Sequence, residues 1–216
     1  MTYGEWYHRS ISHKENFWEE QSRKINWFKR PKTILTKDKN GFYRWFSDGE
    51  LNTSYLCLDQ QVENGLGEKD ALIYHSAVTN TVKHFTYNEL LDQVSHFAFG
   101  LKKLGVAKSD TVVIYMPMVP EAVIAMLACA RIGAIHSVVF GGFAPHELAL
   151  RINDANPKVI ISASYGIEGT KQINYKPLVD RAILEAIEKP AHKIFYQREA
   201  NFDSLNNVLR FVSFIS

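Results

Sequence analysis

The stretch from Ile114 to Pro145, IYMPMVPEAVIAMLACARIGAIHSVVFGGFAP, constrains this chain most. The β-branched run around Val112–Met116 and the run Ala134–Val139 flank a segment of helical length. Neither run alternates polar with apolar residues, so each reads as a strand buried on both faces. Between them Pro120 stands near a helix start and Gly133 just past its end, the positions those residues favour. A second helix is predicted from Pro145 through Ala155, and a third apolar strand over Val159–Ser162. Thr111 to Ser162 is therefore expected to give three parallel strands, with Pro120–Ile132 and Pro145–Ala155 as the crossovers.

The same alternation extends on both sides. Ala71–Ser76 and His84–Phe85 read as a strand and its return. Thr86 and Glu89 have the spacing of a capping box. Leu90, Leu91, Val94, Phe97, Ala98, Leu101 and Leu104 then keep helical spacing up to Gly105, placed as the residue after the C-cap. Downstream, Pro177–Glu188 reads as a helix and Lys193–Tyr196 as a short strand. The fold class expected is α/β, a mostly parallel sheet with flanking helices. The chain divides into three zones. Residues 1–70 form an aromatic-rich cap, 71–199 the α/β part, and 200–216 an apolar tail without a stop signal of its own. In the cap, Ser12 and Glu15 suggest a capping box opening a helix through Lys24. Trp6, Phe17, Trp18, Trp27, Trp45 and Phe46 are expected to pack it through aromatic contacts, with stacking platforms for bases as the alternative.

Composition excludes several function classes. Formal net charge is +2 over 216 residues, and the cluster Lys29-Arg30-Pro31-Lys32 reads as a solvated loop, so no nucleic-acid partner is expected. Cys57 and Cys129 give neither a disulfide framework nor metal spacing, and the eight histidines form no ligand pattern. Cys129 lies in an apolar helix, where a buried inert thiol is the default. The start of the chain has no signal-peptide pattern, and the longest apolar run, Ala122–Ala130, is too short to span a bilayer. The expectation is a soluble cytoplasmic protein with no membrane partner. Glu121 reads as a first-turn acid favoured by the helix dipole. No Ser-His-Asp or Cys-His arrangement is present, and no catalytic or metal-ligating residue is assigned.

Two loops stand where a ligand would be held. Phe140-Gly141-Gly142-Phe143 comes directly after a strand of the sheet, and ligands of parallel sheets gather beyond the carboxyl ends of strands. Its glycines fit either close backbone approach to a ligand or a tight turn needing positive φ. The loop lacks the spacing of a dinucleotide fingerprint or a phosphate loop. Ser164–Lys171, SYGIEGTK, is a second loop after a strand. Gly166 and Gly169 supply its turns and Lys171 a point charge suited to phosphate, with a plain solvent loop as the other reading.

Together these stretches resemble the short-chain acyl-CoA synthetases, the AMP-forming acetate and propionate ligases. EWYHRSISHKENFWEEQSRKINW is similar to that family's N-terminal cap, and GFYRWFSDGELNTSYLCLDQQVENGLGEKDALIY to the segment after it. The stretch IYMPMVPEAVIAMLACARIGAIHSVVFGGFAPHELALRINDANPKVIISAS resembles the first part of the adenylate-forming (ANL-type) domain, and ASYGIEGTKQINYKPLVDRAI is closer to the propionate branch than to the acetate one. The resemblance covers about residues 1–196. It implies a ligase that joins a short carboxylic acid to CoA, using ATP and magnesium to form an acyl-adenylate from which the CoA thiol displaces AMP. Carried over by position, Phe140, Gly141 and Gly142 line the CoA nucleotide site, and Glu168, Gly169, Thr170 and Lys171 match the loop that contacts CoA phosphates. Acetate-type relatives tend to carry arginine at the position of Glu168. A carboxylate there repels phosphate, which leaves Lys171 as the cation for charge pairing.

The family's later motifs do not occur in this sequence: the loop ending Pro-Lys-Gly, Tyr-Gly-x-Thr-Glu, the ribose-binding aspartate and the catalytic lysine. The adenylate-forming part is thus expected to be incomplete, inactive alone, and prone to self-association through an open sheet edge. The other reading is a non-enzymatic CoA- or nucleotide-binding remnant or interaction module.

Overall fold

The computed structural model describes residues 2–77, 79–169 and 171–198, with the backbone of 209–210. Two compact units divide at residue 52, Met1–Asn52 and Thr53–Ser216.

In the first unit, α1 (Tyr3–Ser12) is opened by Thr2, whose hydroxyl accepts from the Glu5 amide while Glu5 accepts from the Thr2 amide. The box expected at Ser12 and Glu15 does not form. Ser12 is the last residue of α1, and its hydroxyl donates back to the His8 carbonyl at 2.8 Å. His13, at φ −124° and ψ 47°, breaks the chain direction before α2 (Lys14–Ser22). A short antiparallel pair comes next, β1 (Leu35–Lys37) with β2 (Tyr43–Trp45). The Asp38 carboxylate shapes its turn, accepting from the amides of Asn40 and Phe42 and from the Arg44 guanidinium. Aromatic rings do the packing: Phe17 is buried between Trp6 and Trp18, each edge-on at about 5 Å. Trp18 in turn meets Trp45.

The second unit is α/β. Its first residues make two wide helical turns, Tyr55–Asp59 and Val62–Leu66. A hairpin comes after them, β3 (Asp70–Ser76) antiparallel to β4 (Thr81–Thr86). Thr86 and Glu89 form the expected reciprocal cap, opening α3 (Tyr87–Lys103). Gly105, at φ +82°, sits just past the C-cap Leu104, a conformation that suits glycine.

The sheet is built from β5 (Thr111–Met116), β6 (Ile135–Phe140), β7 (Val159–Ala163), β10 (His192–Tyr196) and β11 (Leu209–Arg210), in the order β11-β10-β7-β5-β6, all parallel. The crossovers are α4 (Pro120–Ile132), between β5 and β6, and α5 (Pro145–Ala155), between β6 and β7. After β7 the chain makes a hairpin, β8 (Tyr165–Glu168) with β9 (Lys171–Asn174), and then α6 (Tyr175–Glu185). The Ser164–Lys171 stretch expected as a loop is therefore mostly strand, and α6 begins two residues before Pro177. Proline is tolerated there because first-turn amides have no intrahelical partner.

Helix α3 packs on α4, and α5 on α6. Val112–Tyr115 and Val159–Ile161 are fully buried beneath them, which explains why these strands carry no polar alternation. Arg131 of α4 grips Asp59 with two parallel hydrogen bonds of 2.7 and 2.9 Å, tying the first helical turn to the helical layer.

Candidate functional site

The strand order places the site. From β5 the chain steps to β6 on one side, then returns past β5 to β7 on the other. Successive crossovers in opposite directions part at the carboxyl ends of β5 and β7, and such a switch point leaves a crevice. Three segments leave the sheet there: Pro117-Met118-Val119 after β5, the Phe140–Phe143 loop after β6, and the β8–β9 hairpin after β7. A cavity of about 320 Å³ lies among them, lined in part by Phe140, Gly141, Glu168, Tyr175 and Arg198.

Tyr115, fully buried on β5, fixes the glycine loop. Its hydroxyl donates to the Phe143 carbonyl at 2.8 Å and accepts from the Gly142 amide at 3.2 Å. Tyr175, the first residue of α6, lies beside it with ring centroids 5.0 Å apart. A Cβ at Gly141 would stand 2.5 Å from the Tyr175 hydroxyl and 2.9 Å from the Met116 carbonyl carbon. One at Gly166 would also strike that hydroxyl, and one at Gly142 would strike the Glu168 carboxylate. Gly142 has φ +121° as well, the positive φ that the tight-turn reading requires. The close approach is to Tyr175 and Glu168 within the chain.

Burial raises the pKa of both phenols. Tyr175 is pushed up to about 12, chiefly by burial, with Tyr115 and Glu168 adding repulsion and Arg198 opposing. Tyr115 shifts upward by burial, opposed by the Gly142 amide and assisted by Glu168. Both keep their protons at neutral pH and offer ring surfaces rather than bases, and the Tyr115 hydroxyl is also a donor.

Of the residues expected at the site, Phe140 stands 62% exposed at the rim of the cavity, and Gly141 and Glu168 line it. Gly142 abuts Glu168. Gly169 has φ +60° at the hairpin turn, and Lys171 is paired with Glu168 across the β8–β9 ladder, exposed. Thr170 lies outside the described residues. Among the described residues no group of three or more His, Cys, Asp or Glu could hold a metal ion. None of their helices is long and apolar enough to cross a membrane.

The structure adds residues that the sequence does not single out: Tyr115, Tyr175, Tyr196, Lys83 and Arg198. A second cavity of about 220 Å³ adjoins the first across Tyr74, Val119 and Arg198, and contains Lys83, Glu121, Tyr165 and Tyr196. Sequence spacing gives Glu121 only the part of a helix-start acid. It does occupy the first turn of α4, but its Oε2 is buried without a hydrogen-bond partner. Burial pushes its carboxyl above the usual range, against its own amide, the Tyr196 hydroxyl, Lys83 and Arg198. Its place shortly after a strand end is the one signal of this in the sequence. Cys129 behaves as expected, a buried thiol pushed up to about 12 by desolvation.

A crevice at the switch point of a parallel sheet, with a glycine loop at its rim, marks the class of open α/β folds that bind ligands beyond their strand ends. Comparison with known proteins gives the family. The sequence model of the AMP-binding enzymes matches residues 58–207, and that of the acetyl-coenzyme A synthetase N-terminus matches residues 3–57. The chain belongs to the AMP-binding enzyme family, with an N-terminal segment of the acetyl-coenzyme A synthetase type. It is 48% identical over 189 residues to the human mitochondrial acyl-CoA synthetase short-chain family member 3, covering 88% of this chain and 28% of that protein. It is 46% identical over 198 residues to the propionate–CoA ligase of Escherichia coli K12, covering 92% and 31%. The fold matches acetoacetyl-CoA synthetase from Streptomyces lividans with a TM-score of 0.85 at 22% identity, over 100% of this chain and 33% of that one. The chain thus spans about a third of the length of the relatives it matches.

Proposed function

We propose that these residues are the N-terminal part of a short-chain carboxylate–CoA ligase of the AMP-forming type, with propionate as the first-choice acid and acetate as the second. The observation that carries this is the cavity at the switch point, rimmed by Phe140 and Gly141, in a chain of the AMP-binding family. The propionate preference rests on the GIEGTK stretch and on the likeness to a propionate–CoA ligase. The cavity serves as part of the CoA surface. The exposed Phe140 ring offers a face to a base, and Lys171 supplies a point charge to a phosphate. The Tyr115 phenol holds the loop at Gly142 in place. Glu168 faces an anion unfavourably, so Lys171 carries the pairing. Propionate, ATP and CoA are the proposed small-molecule partners of the whole ligase, and the cytoplasm its proposed compartment, although the human relative is named as mitochondrial. The sequence division into a cap over 1–70, an adenylate-forming part over 71–199 and a tail over 200–216 stands with this proposal.

Adenylation requires charge stabilisation on the transferring phosphates and an aligned carboxylate. The motifs that supply these in the resembled family do not occur in this sequence. Residues 1–216 alone are expected to make no acyl-adenylate and no thioester. The assay is acid-dependent pyrophosphate release with acetate, propionate and butyrate, followed by thioester detection. Propionate-dependent turnover above the no-enzyme blank would contradict the reading. The second reading, a CoA-binding module without catalysis, draws on the same crevice. It differs in one respect: adding the downstream two-thirds of such a ligase would not create activity.

A further inference from the structure

The most unusual group at the head of the sheet is Arg198. Its backbone amide donates to Ser164 Oγ at 3.1 Å, and its Nη1 donates to the Tyr165 carbonyl at 3.2 Å. Its guanidinium lies over the Tyr165 ring, 4.7 Å from the centroid. The residue is thus held from three directions, just past the end of β10 and against the first residue of β8. A guanidinium carries five donors, and one is used. Among the described residues no carboxylate lies within ion-pair distance of it, although Arg198 borders both cavities.

A second cation shares this property. Lys83, on the exposed side of β4, lines the smaller cavity and forms no ion pair among the described residues. Both cations act on Glu121 across that cavity. Glu121 faces both cations there, its buried carboxyl pushed upward by desolvation against the Tyr196 hydroxyl, Lys83 and Arg198. The result is a pre-ordered pair of cations, without an ion pair among the described residues, at one end of the crevice whose larger cavity Glu168 also lines. Phe140 stands at the other end. Three strand spacings separate β6 from β10, about 14 Å at roughly 4.8 Å each.

We propose that Arg198, assisted by Lys83, binds a phosphate group of the CoA ligand, at the end of the crevice opposite the Phe140 loop, and that Glu121 tunes this pair. The inference rests on the reading of the crevice as a CoA surface and adds a specificity-determining residue to it. The chemistry is that of a planar guanidinium fixed by a ring and a carbonyl, presenting paired N–H groups to a tetrahedral anion. The ligand contains two phosphate sources, the 3′-phosphate and the diphosphate, and either matches this chemistry.

The test titrates the purified 216-residue chain with CoA, 3′-dephospho-CoA and pantetheine, in the wild type and in Arg198→Gln, Arg198→Lys, Lys83→Gln and Glu121→Gln. Arg198→Gln is expected to weaken CoA about tenfold or more, the scale of one charge-assisted pair. Arg198→Lys should restore only part of it. Lys83→Gln, on an exposed strand position, should weaken CoA severalfold, and Glu121→Gln should tighten it. If the 3′-phosphate is the group held, Arg198→Gln leaves dephospho-CoA unaffected. If the diphosphate is, both nucleotides weaken equally. Circular dichroism identifies a variant that fails to fold, in which case the Lys83 and Glu121 pair decides. CoA binding that none of these variants changes would overturn this inference while leaving the CoA reading intact. Failure of the folded wild type to bind CoA at all would overturn both.

Discussion

Tyr175 sets the side-chain requirements around it. Its hydroxyl occupies the space that a β-carbon would need at Gly141 and Gly166. Gly166→Ala should lower stability by about 1–3 kcal/mol, the usual cost of overpacking, whereas Gly4→Ala, which meets nothing within 4 Å, should not destabilise. Urea unfolding compares the two. The glycines are legible as a loop in the sequence, but Tyr175 is far enough downstream that its claim on them is not. A titration is expected from Glu121. Its folded carboxyl binds its proton more tightly than the unfolded one. The stability this contributes is present below the unfolded value of about 4.5 and is lost as pH rises through the folded value. Asp110 and Asp180 shift downward and act in the opposite sense, Asp110 through Lys158 and Asp180 through Lys176 and Lys193 against its burial. The difference between wild type and Glu121→Gln isolates the effect. The variant should gain in relative melting temperature between pH 4.5 and pH 7, and a difference flat with pH would count against a buried carboxyl.

At the scale of elements, the caps govern where helices begin. Thr86 satisfies the Glu89 amide, and Glu89 satisfies that of Thr86. Thr86→Ala should cost about 1 kcal/mol, measured by denaturant midpoint, with Thr79→Ala in the nearby loop as comparison. The elements with strong punctuation are legible in the sequence: α3 between Thr86 and Gly105, α4 between Pro120 and Gly133, α5 from Pro145 to Ala155. The parallel order of β5, β6 and β7 is legible too, from apolar runs separated by helix-length spacers, but the cover expected on both faces holds for β5 and β7 and not for β6, which borders the sheet and is mostly exposed. The β8–β9 hairpin is not. Each of its strands has four residues, and its mixed polar pattern matches a loop as well as a strand. Ser12 and Glu15 have the spacing of a cap, but Thr2 and Glu5 have it one helix earlier, and local spacing does not choose between them. Arg198 and Lys83 are invisible as site residues, since β4, β8 and β10 belong to three separate sheets that only tertiary packing brings to one cavity.

For the whole molecule, the sheet has two unlike borders. On one side β11 adds two residues to β10. On the other, β6 has no further strand among the described residues, and its Ile135, Val138 and Phe140 are more than half exposed. An apolar edge of this kind pairs with other chains. The 216-residue chain should therefore sediment with concentration-dependent mass, and Val138→Lys should suppress this. A single monomer boundary across concentrations would contradict it.

The central claim is that the crevice over β5 and β7 is a CoA surface, and calorimetric titration of the wild-type chain with CoA tests it most directly. The account predicts saturable binding that Gly142→Val abolishes, through a side chain forced onto Glu168 at positive φ, and that Lys171→Glu weakens about tenfold through the lost anion contact. A folded wild-type chain giving no heat with CoA, or one whose affinity neither substitution alters, would contradict it.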